Sequence, residues 1–350
     1  VTQLPVAVIG VGHMGRHHVR KYASMPGAKL VAIIDRDEKR AAELAREFNV
    51  PYGTELTPEF GDVAAVTVAV PTKYHLSVSK PLLERGIAVL VEKPIAPSAA
   101  EAEELAAIAE RTGSIVQVGH TERFNPAVRA VAKLNMTPKF VETHRISPFT
   151  FRSADIGVTF DMMIHDIDIV LNLIREEVAR VDAVGVNVLG PHEDIVNARV
   201  TFARGAVASL TASRLALKTE RKLRAFSEEA YVSLDYQKKL GIAVQRNQNV
   251  DVLKFARERN LEDLSQISAT DYVKLVKVEP LVVQDKDALA DELETFLDCV
   301  RHKKQPPVSA ADGVAAVRLA EQIVDAVKSH RWDGPEGDRV GLAADLFGRV

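Results

Sequence analysis

The chain has 350 residues, 47% hydrophobic and 27% charged, with a formal net charge of −3. That length fits two domains of common size, and so balanced a charge excludes a nucleic-acid footprint, which needs a basic stripe. The densest basic stretch, Lys218–Arg224, is interrupted by Glu220 and reads as a solvated strand or loop.

One cysteine, Cys299, rules out an internal disulfide. No apolar run reaches the roughly 18 residues that span a bilayer, and the chain enters a strand with no charged leader. The expectation is a cytoplasmic protein with no membrane partner.

Residues 5–9 form an apolar, β-branched run, followed by a glycine cluster and a helical pattern over 12–24. Strand runs at 30–34, 64–70, 88–91 and 115–118 alternate with helical patterns at 38–48, 76–85 and 98–111. Ser98 and Glu101 have capping-box spacing at the start of the last of these. Continuous apolar strands alternating with helices predict a doubly wound parallel sheet, a Rossmann-type domain over 1–122.

A helix is predicted at 125–134, and the texture then changes. Longer strands of mixed polarity follow at 140–147, 180–188, 195–202, 206–213, 221–226, 229–236 and 240–245, as in a largely antiparallel open sheet. Residues 246–270 read as loop with some helix, and helices return at 288–301 and 310–330. The second domain, 123–350, is predicted to be α+β.

Gly10-Val-Gly-His-Met-Gly15 has the G-x-G-x-x-G spacing between a strand and a helix, and Asp35 ends the second strand 20 positions beyond Gly15. This is the full context of a dinucleotide fingerprint. Gly10 permits the turn, Gly12 lets a pyrophosphate approach the backbone, and Gly15 lets the helix pack on the sheet. His13 and Met14 fall within the cofactor-binding stretch. Asp35 would accept from ribose hydroxyls and repel a 2′-phosphate, which favours NAD; Arg36 beside it is the feature that can hold a 2′-phosphate. His13 and the pair His17-His18 read as helix-surface residues rather than ligands, and no residue set has metal-ligand spacing.

Two segments bear on chemistry. Glu92-Lys93-Pro94 follows the fourth strand, where ligands of open α/β sheets bind. It is either a surface pair before a proline turn, or a lysine that stabilises a developing alkoxide, aimed by a cis Lys93–Pro94 bond. Asp161, His165 and Asp168 lie at i, i+4 and i+7 of a predicted helix. They are either a cap plus a structural histidine, or a histidine held among carboxylates as a proton shuttle.

Together these segments resemble the Gfo/Idh/MocA oxidoreductase family. The resemblance rests on Gly10–Gly15, Asp35, Pro71-Thr72-Lys73-Tyr74-His75, Glu92-Lys93-Pro94, Val118-Gly119-His120 leading to Arg123-Phe124-Asn125-Pro126, and Asp161-x-x-x-His165. It implies an NAD-dependent sugar dehydrogenase with Lys93, Asp161 and His165 at the catalytic centre. His165 is then the acid/base, and Lys93 bridges substrate and nicotinamide ribose. Pro71, Thr72, His75, Glu92, Lys93 and Arg123 line the cofactor by the same implication, and the open-sheet domain mediates a homodimer or homotetramer.

The run Phe151–Val158 before Asp161 resembles the branch of that family that oxidises the C3 hydroxyl of UDP-N-acetylglucosamine for amino-sugar lipid A synthesis. Arg152 and Ser153 are then nucleotide-sugar contacts, with Lys93, Asp161 and His165 also touching substrate. Thr159 and Phe160 stand where most relatives carry glycine or small residues, which implies a reshaped pocket. An inositol or free-sugar dehydrogenase remains the alternative within the family. A non-catalytic NAD-sensing regulator is the alternative outside it, disfavoured by the presence of both Lys93 and His165.

Overall fold

Apolar runs along the first third of the chain become neighbouring strands of one parallel sheet. The computed structural model describes residues 2–134, 136–150, 156–246, 276–281, 283, 285–332, 334 and 340–342. Two compact units emerge. The first comprises residues 1–125, 167–169 and 286–325, the second 126–166, 170–285 and 326–350. A contiguous division at 122/123 therefore leaves out two segments that pack with the N-terminal sheet.

In the first unit the strands are β1 (Leu4–Ile9), β2 (Ala28–Ile34), β3 (Tyr52–Gly53), β4 (Ala65–Val68), β5 (Ala88–Glu92) and β6 (Val116–Gly119). Their spatial order is β3-β2-β1-β4-β5-β6, every pair parallel. Chain direction across the sheet reverses between β1 and β4, so a crevice opens beyond their carboxyl ends. β3 is too short to carry a strand pattern, and the sequence reading missed it.

Helices α1 (His13–Ser24), α2 (Glu38–Phe48), α3 (His75–Glu84) and α4 (Ala99–Thr112) link these strands. Asp37 caps α2 by accepting from the Arg40 N–H, and Ser98 caps α4 by accepting from the Glu101 N–H. From far along the chain, α7 (Ala288–His302) buries Leu293, Phe296 and Leu297 in a core with Val6, Val8, Val19 and Tyr22. Truncating a buried phenylalanine such as Phe296 costs about 3–5 kcal/mol, which explains why that helix belongs to the first unit.

The second unit holds α5 (Pro126–Ala132) and most of α6 (Ile164–Ile174). Its strands are β7 (Phe140–Ile146), β8 (Val178–Val186), β9 (Ile195–Phe202), β10 (Val207–Ser213), β11 (Glu220–Phe226), β12 (Ala230–Asp235), β13 (Leu240–Arg246) and β14 (Val276–Pro280). They form an eight-stranded sheet in the order β14-β13-β12-β11-β7-β10-β9-β8. Only β7 and β10 run parallel; the other pairs are antiparallel. Burial alternates along β7, as one buried and one wetter face require. Helix α8 spans Ala310–Ser329, and its residues 310–325 belong to the first unit. Among the described residues no helix is long and apolar enough to cross a membrane.

Candidate active site

In the first unit the sequence-predicted residues collect at the carboxyl ends of parallel strands: Gly10 after β1, Asp35 after β2, Pro71 after β4, Lys93 after β5 and His120 after β6. Gly10 has a φ of +86°, and a Cβ there would lie 2.7 Å from the Ala69–Val70 peptide, so only glycine fits. A Cβ on Gly15 would fall 1.8 Å from the Gly10 carbonyl oxygen. Gly12 has nothing within 4 Å of its Cβ position, which leaves the peptide face open. No side chain caps α1, so its first-turn N–H groups are aimed at an incoming anion.

Asp35 fixes this turn. Its Oδ2 accepts from the Val11 N–H at 2.8 Å and its Oδ1 from the Asp37 N–H at 2.9 Å. Arg40 Nη1 stands 3.7 Å from Oδ2, and the Arg36 guanidinium lies over the Tyr74 ring. The bare Gly12 peptide, the uncapped helix and the carboxylate at the end of β2 fit a dinucleotide. His13 is exposed, while Met14, Thr72 and Lys93 are half-buried and Pro71 is exposed.

Two residues with an expected cofactor role are turned inward. His75 is 1% exposed and spans the carbonyls of Val70 and Pro94, 2.9 Å from each ring nitrogen. Burial pushes its pKa below the usual imidazole range. The ring braces the loops after β4 and β5, and as a neutral imidazole it donates its single N–H to one of the two carbonyls. Glu92 is buried as well: its Oε1 meets His18 Nε2 at 2.8 Å, and its Oε2 accepts from the Lys93 N–H at 3.2 Å. It sets the Lys93 peptide from beneath. The Lys93–Pro94 bond is cis, as the proline placement suggested.

His18 corrects the surface reading of the histidine pair, because it is 0% exposed. Its partner lies 74 positions away, and nothing local marks such a pairing. Arg123 is likewise committed, donating from Nε and Nη2 to Asp168 at 2.7 and 2.9 Å and from Nη2 to Asp312 at 3.2 Å.

The sequence reading also missed Glu292 of α7, which is 0% exposed beside this edge. Thr121 donates to its Oε2 at 2.8 Å. Burial, with the nearby Glu92 charge, holds its carboxyl well above the ordinary range. Leu289, Leu293 and Phe296 at i, i+4 and i+7 mark the helix; a glutamate on its buried face was the available signal.

In the second unit Asp161 does not lie on an α-helix. Residues Thr159–Met163 form a π turn, and α6 begins at Ile164. The i, i+4 geometry assumed for Asp161 and His165 is therefore replaced by a wider turn. π turns inside helices concentrate at functional sites. Asp161 and His165 are half-buried, while Asp166 is enclosed and takes Arg145 through Nε at 2.9 Å and Nη2 at 2.8 Å. Thr159 is fully buried and Phe160 half-buried; Thr159 thus fills the interior instead of lining an open pocket. Arg152 and Ser153 lie outside the described residues.

The motifs that position these groups recur in known proteins. Residues 4–120 match the oxidoreductase family with an NAD-binding Rossmann fold, and residues 132–233 match the GFO/IDH/MocA C-terminal domain. A UDP-N-acetylglucosamine 3-dehydrogenase from Acidithiobacillus ferrooxidans is 33% identical over 313 residues, 89% of this chain and 92% of the relative. A solved structure of that enzyme from the same organism superposes with a TM-score of 0.82 at 30% identity, covering 93% of this chain and 98% of that one. The scyllo-inositol 2-dehydrogenase (NAD(+)) of Bacillus subtilis is 27% identical over 329 residues, 89% of this chain and 90% of its own.

Proposed function

The chain belongs to the GFO/IDH/MocA oxidoreductase family as an NAD-dependent sugar dehydrogenase, and on that premise we propose that it oxidises the C3 hydroxyl of UDP-N-acetylglucosamine to the 3-keto sugar. The observation that carries the substrate is the 33% identity to a UDP-N-acetylglucosamine 3-dehydrogenase across 89% of the chain. That span takes in the second domain as well as the nucleotide-binding one. The sequence resemblance at Phe151–Val158 supports the same branch.

NAD, when bound, supplies the acceptor for the hydride leaving C3. The Gly10–Gly15 turn and the α1 N-terminus hold the diphosphate, and Asp35 takes the adenosine ribose hydroxyls. The Lys93 ammonium donates to the C3 oxygen and stabilises the charge that grows as its proton departs. His165 takes that proton on its imidazole, and Asp161 orients substrate and ring. Arg152 and Ser153 are assigned to the nucleotide-sugar, where a guanidinium matches phosphate bidentately. A 3-keto product is what an aminotransferase needs, which places the reaction ahead of amino-sugar lipid A assembly. The reading extends to a cytoplasmic homodimer or homotetramer.

The test is a panel of UDP-N-acetylglucosamine, UDP-glucose, free N-acetylglucosamine, myo-inositol and scyllo-inositol. Each is assayed with NAD and with NADP, with a transaminase and glutamate trapping ketone. UDP-N-acetylglucosamine should lead in kcat/KM by about tenfold or more, the discrimination that a 1.4 kcal/mol difference in transition-state binding provides. A win for an inositol or a free sugar overturns the nucleotide-sugar assignment. Absence of nicotinamide reduction across the panel overturns the catalytic one.

A further inference from the structure

Glu193 and Asp194 end the β8–β9 connection in the second unit, and both are buried. They grip the segment that leads into the π turn. The Val158 N–H donates to the Glu193 carbonyl at 3.1 Å, and the Thr159 N–H donates to Glu193 Oε1 at 3.3 Å. The carboxylate is seated directly on Gly157. A Cβ added there would fall 2.1 Å from Glu193 Oε1 and 2.3 Å from its Cδ. The carbonyl of Gly157 in turn accepts from the Asp161 N–H at 3.1 Å.

Asp194 holds the other side of the same segment. Its Oδ1 takes Arg214 Nε at 2.6 Å, and its Oδ2 takes the N–H groups of Val188 and Leu189 at 2.6 and 2.7 Å. Arg214 then donates from Nη1 to the Ile156 carbonyl at 2.7 Å. Backbone from residue 156 to 161 is thus held at Ile156, Val158 and Thr159 by side-chain and main-chain groups of a single buried cluster. Free loops do not attract three such bonds in six residues; buried polar groups are paired to fix one conformation.

We propose that Glu193, and beside it the Asp194–Arg214 pair, are positioning residues for Asp161, with Gly157 as the point on which the Glu193 carboxylate bears. The inference rests on the assignment of Asp161 to the catalytic group. Glu193 touches neither substrate nor cofactor in this scheme. It sets the place of the Asp161 backbone through Thr159 and Gly157, and a side chain at 157 would displace the carboxylate.

The experiment compares Gly157→Ala, Glu193→Ala, the double variant and Glu193→Gln. Amide hydrogen exchange at Thr159 and Asp161 is read alongside kcat, KM and Tm. Gly157→Ala should lower kcat by about 100-fold, the effect of a 1 Å misplacement in an active site, and raise exchange at both amides. Removing the struck carboxylate in Gly157→Ala/Glu193→Ala should recover at least about tenfold of that kcat, the signature of two groups in contact. Glu193→Gln, which keeps an acceptor for the Thr159 N–H, should retain kcat and protection; Glu193→Ala, which sets the ceiling for the double variant, should lose the protection and no more than about tenfold in kcat.

A Gly157→Ala protein with unchanged kcat and protection overturns the proposal. So does a double variant no better than Gly157→Ala. Should Gly157→Ala fail to fold, the Glu193→Gln and Glu193→Ala pair decides alone: equal exchange at Thr159 and Asp161 in the two overturns the clamp. If the wild-type protein turns over no sugar, the catalytic assignment has failed, and the exchange data still judge the clamp by themselves.

Discussion

Glu92 Oε1 and His18 Nε2 meet at 2.8 Å in the interior of the first unit, joining the helix that begins at the glycine turn to the strand end that carries Lys93. Burial alone would raise the Glu92 carboxyl; the hydrogen bond and charge of His18, joined by the charge and N–H of Lys93, outweigh it and hold the group below the ordinary 4.5. His18→Leu leaves Oε1 of that buried carboxylate without its partner, with only Oε2 still held by the Lys93 N–H. Removing one partner of a buried pair costs about 3–5 kcal/mol, and urea unfolding at neutral pH should show a loss of that order.

The pH dependence has a definite sign. A carboxyl whose folded pKa is depressed contributes stability above its unfolded value, and that contribution fades as pH falls through the folded value. The difference between wild type and His18→Leu should therefore shrink below the ordinary 4.5. A gap that stays constant down to strongly acidic pH would contradict the pairing.

Glu292 behaves in the opposite sense. Burial, and then the Glu92 charge, raise its carboxyl well above 4.5, so the folded chain holds that proton to higher pH than the unfolded one. Its favourable term is complete below that value and is lost as pH rises toward the folded pKa. Glu292→Gln keeps an acceptor for Thr121 and has no proton to lose. The variant should match wild type near pH 4 and exceed it in unfolding free energy at pH 8. Parallel stability curves would show that Glu292 is already ionised.

What the sequence could reveal divides by range. The period of Ala41, Leu44, Ala45 and Phe48 marks α2 at its observed bounds, because the information is local. Gly10, Gly12, Gly15 and Asp35 were legible for the same reason: a fixed spacing between a strand and a helix sets their geometry. His18 was misread because its partner is 74 residues away. Asp161 was placed on a regular helix because a π turn adds a residue without altering the hydrophobic pattern. Glu193 left no signal at all, since an acidic pair before a strand has the look of an ordinary loop end.

Asp35 makes cofactor choice testable. Its carboxylate accepts from the Val11 and Asp37 N–H groups, and Arg40 Nη1 stands 3.7 Å from it. Asp35→Asn removes the charge that repels a 2′-phosphate and leaves Arg36 and Arg40 in place. The ratio of kcat/KM for NADP to that for NAD should rise by about tenfold or more, since a unit charge at 4 Å contributes on the order of 1 kcal/mol even in bulk water. An unchanged ratio would mean that Asp35 serves the turn alone and does not read the ribose.

His165 and Lys93 separate binding from chemistry. Both are half-buried, His165 on the first turn of α6 and Lys93 at the end of β5. Neither belongs to the glycine turn or to the strand end that holds Asp35. His165→Ala should therefore leave the NAD dissociation constant within about twofold while kcat falls by about 10²–10⁴, the range for removing a general base. Lys93→Met should lower kcat by a comparable factor if, as proposed, the ammonium donates to the growing oxyanion. The two losses should not multiply in the double variant if both residues serve one proton-transfer step, since groups that act as a unit are strongly non-additive. Fully multiplicative losses would assign the lysine and the histidine to separate steps, and an undiminished kcat in His165→Ala would remove the imidazole from the reaction altogether.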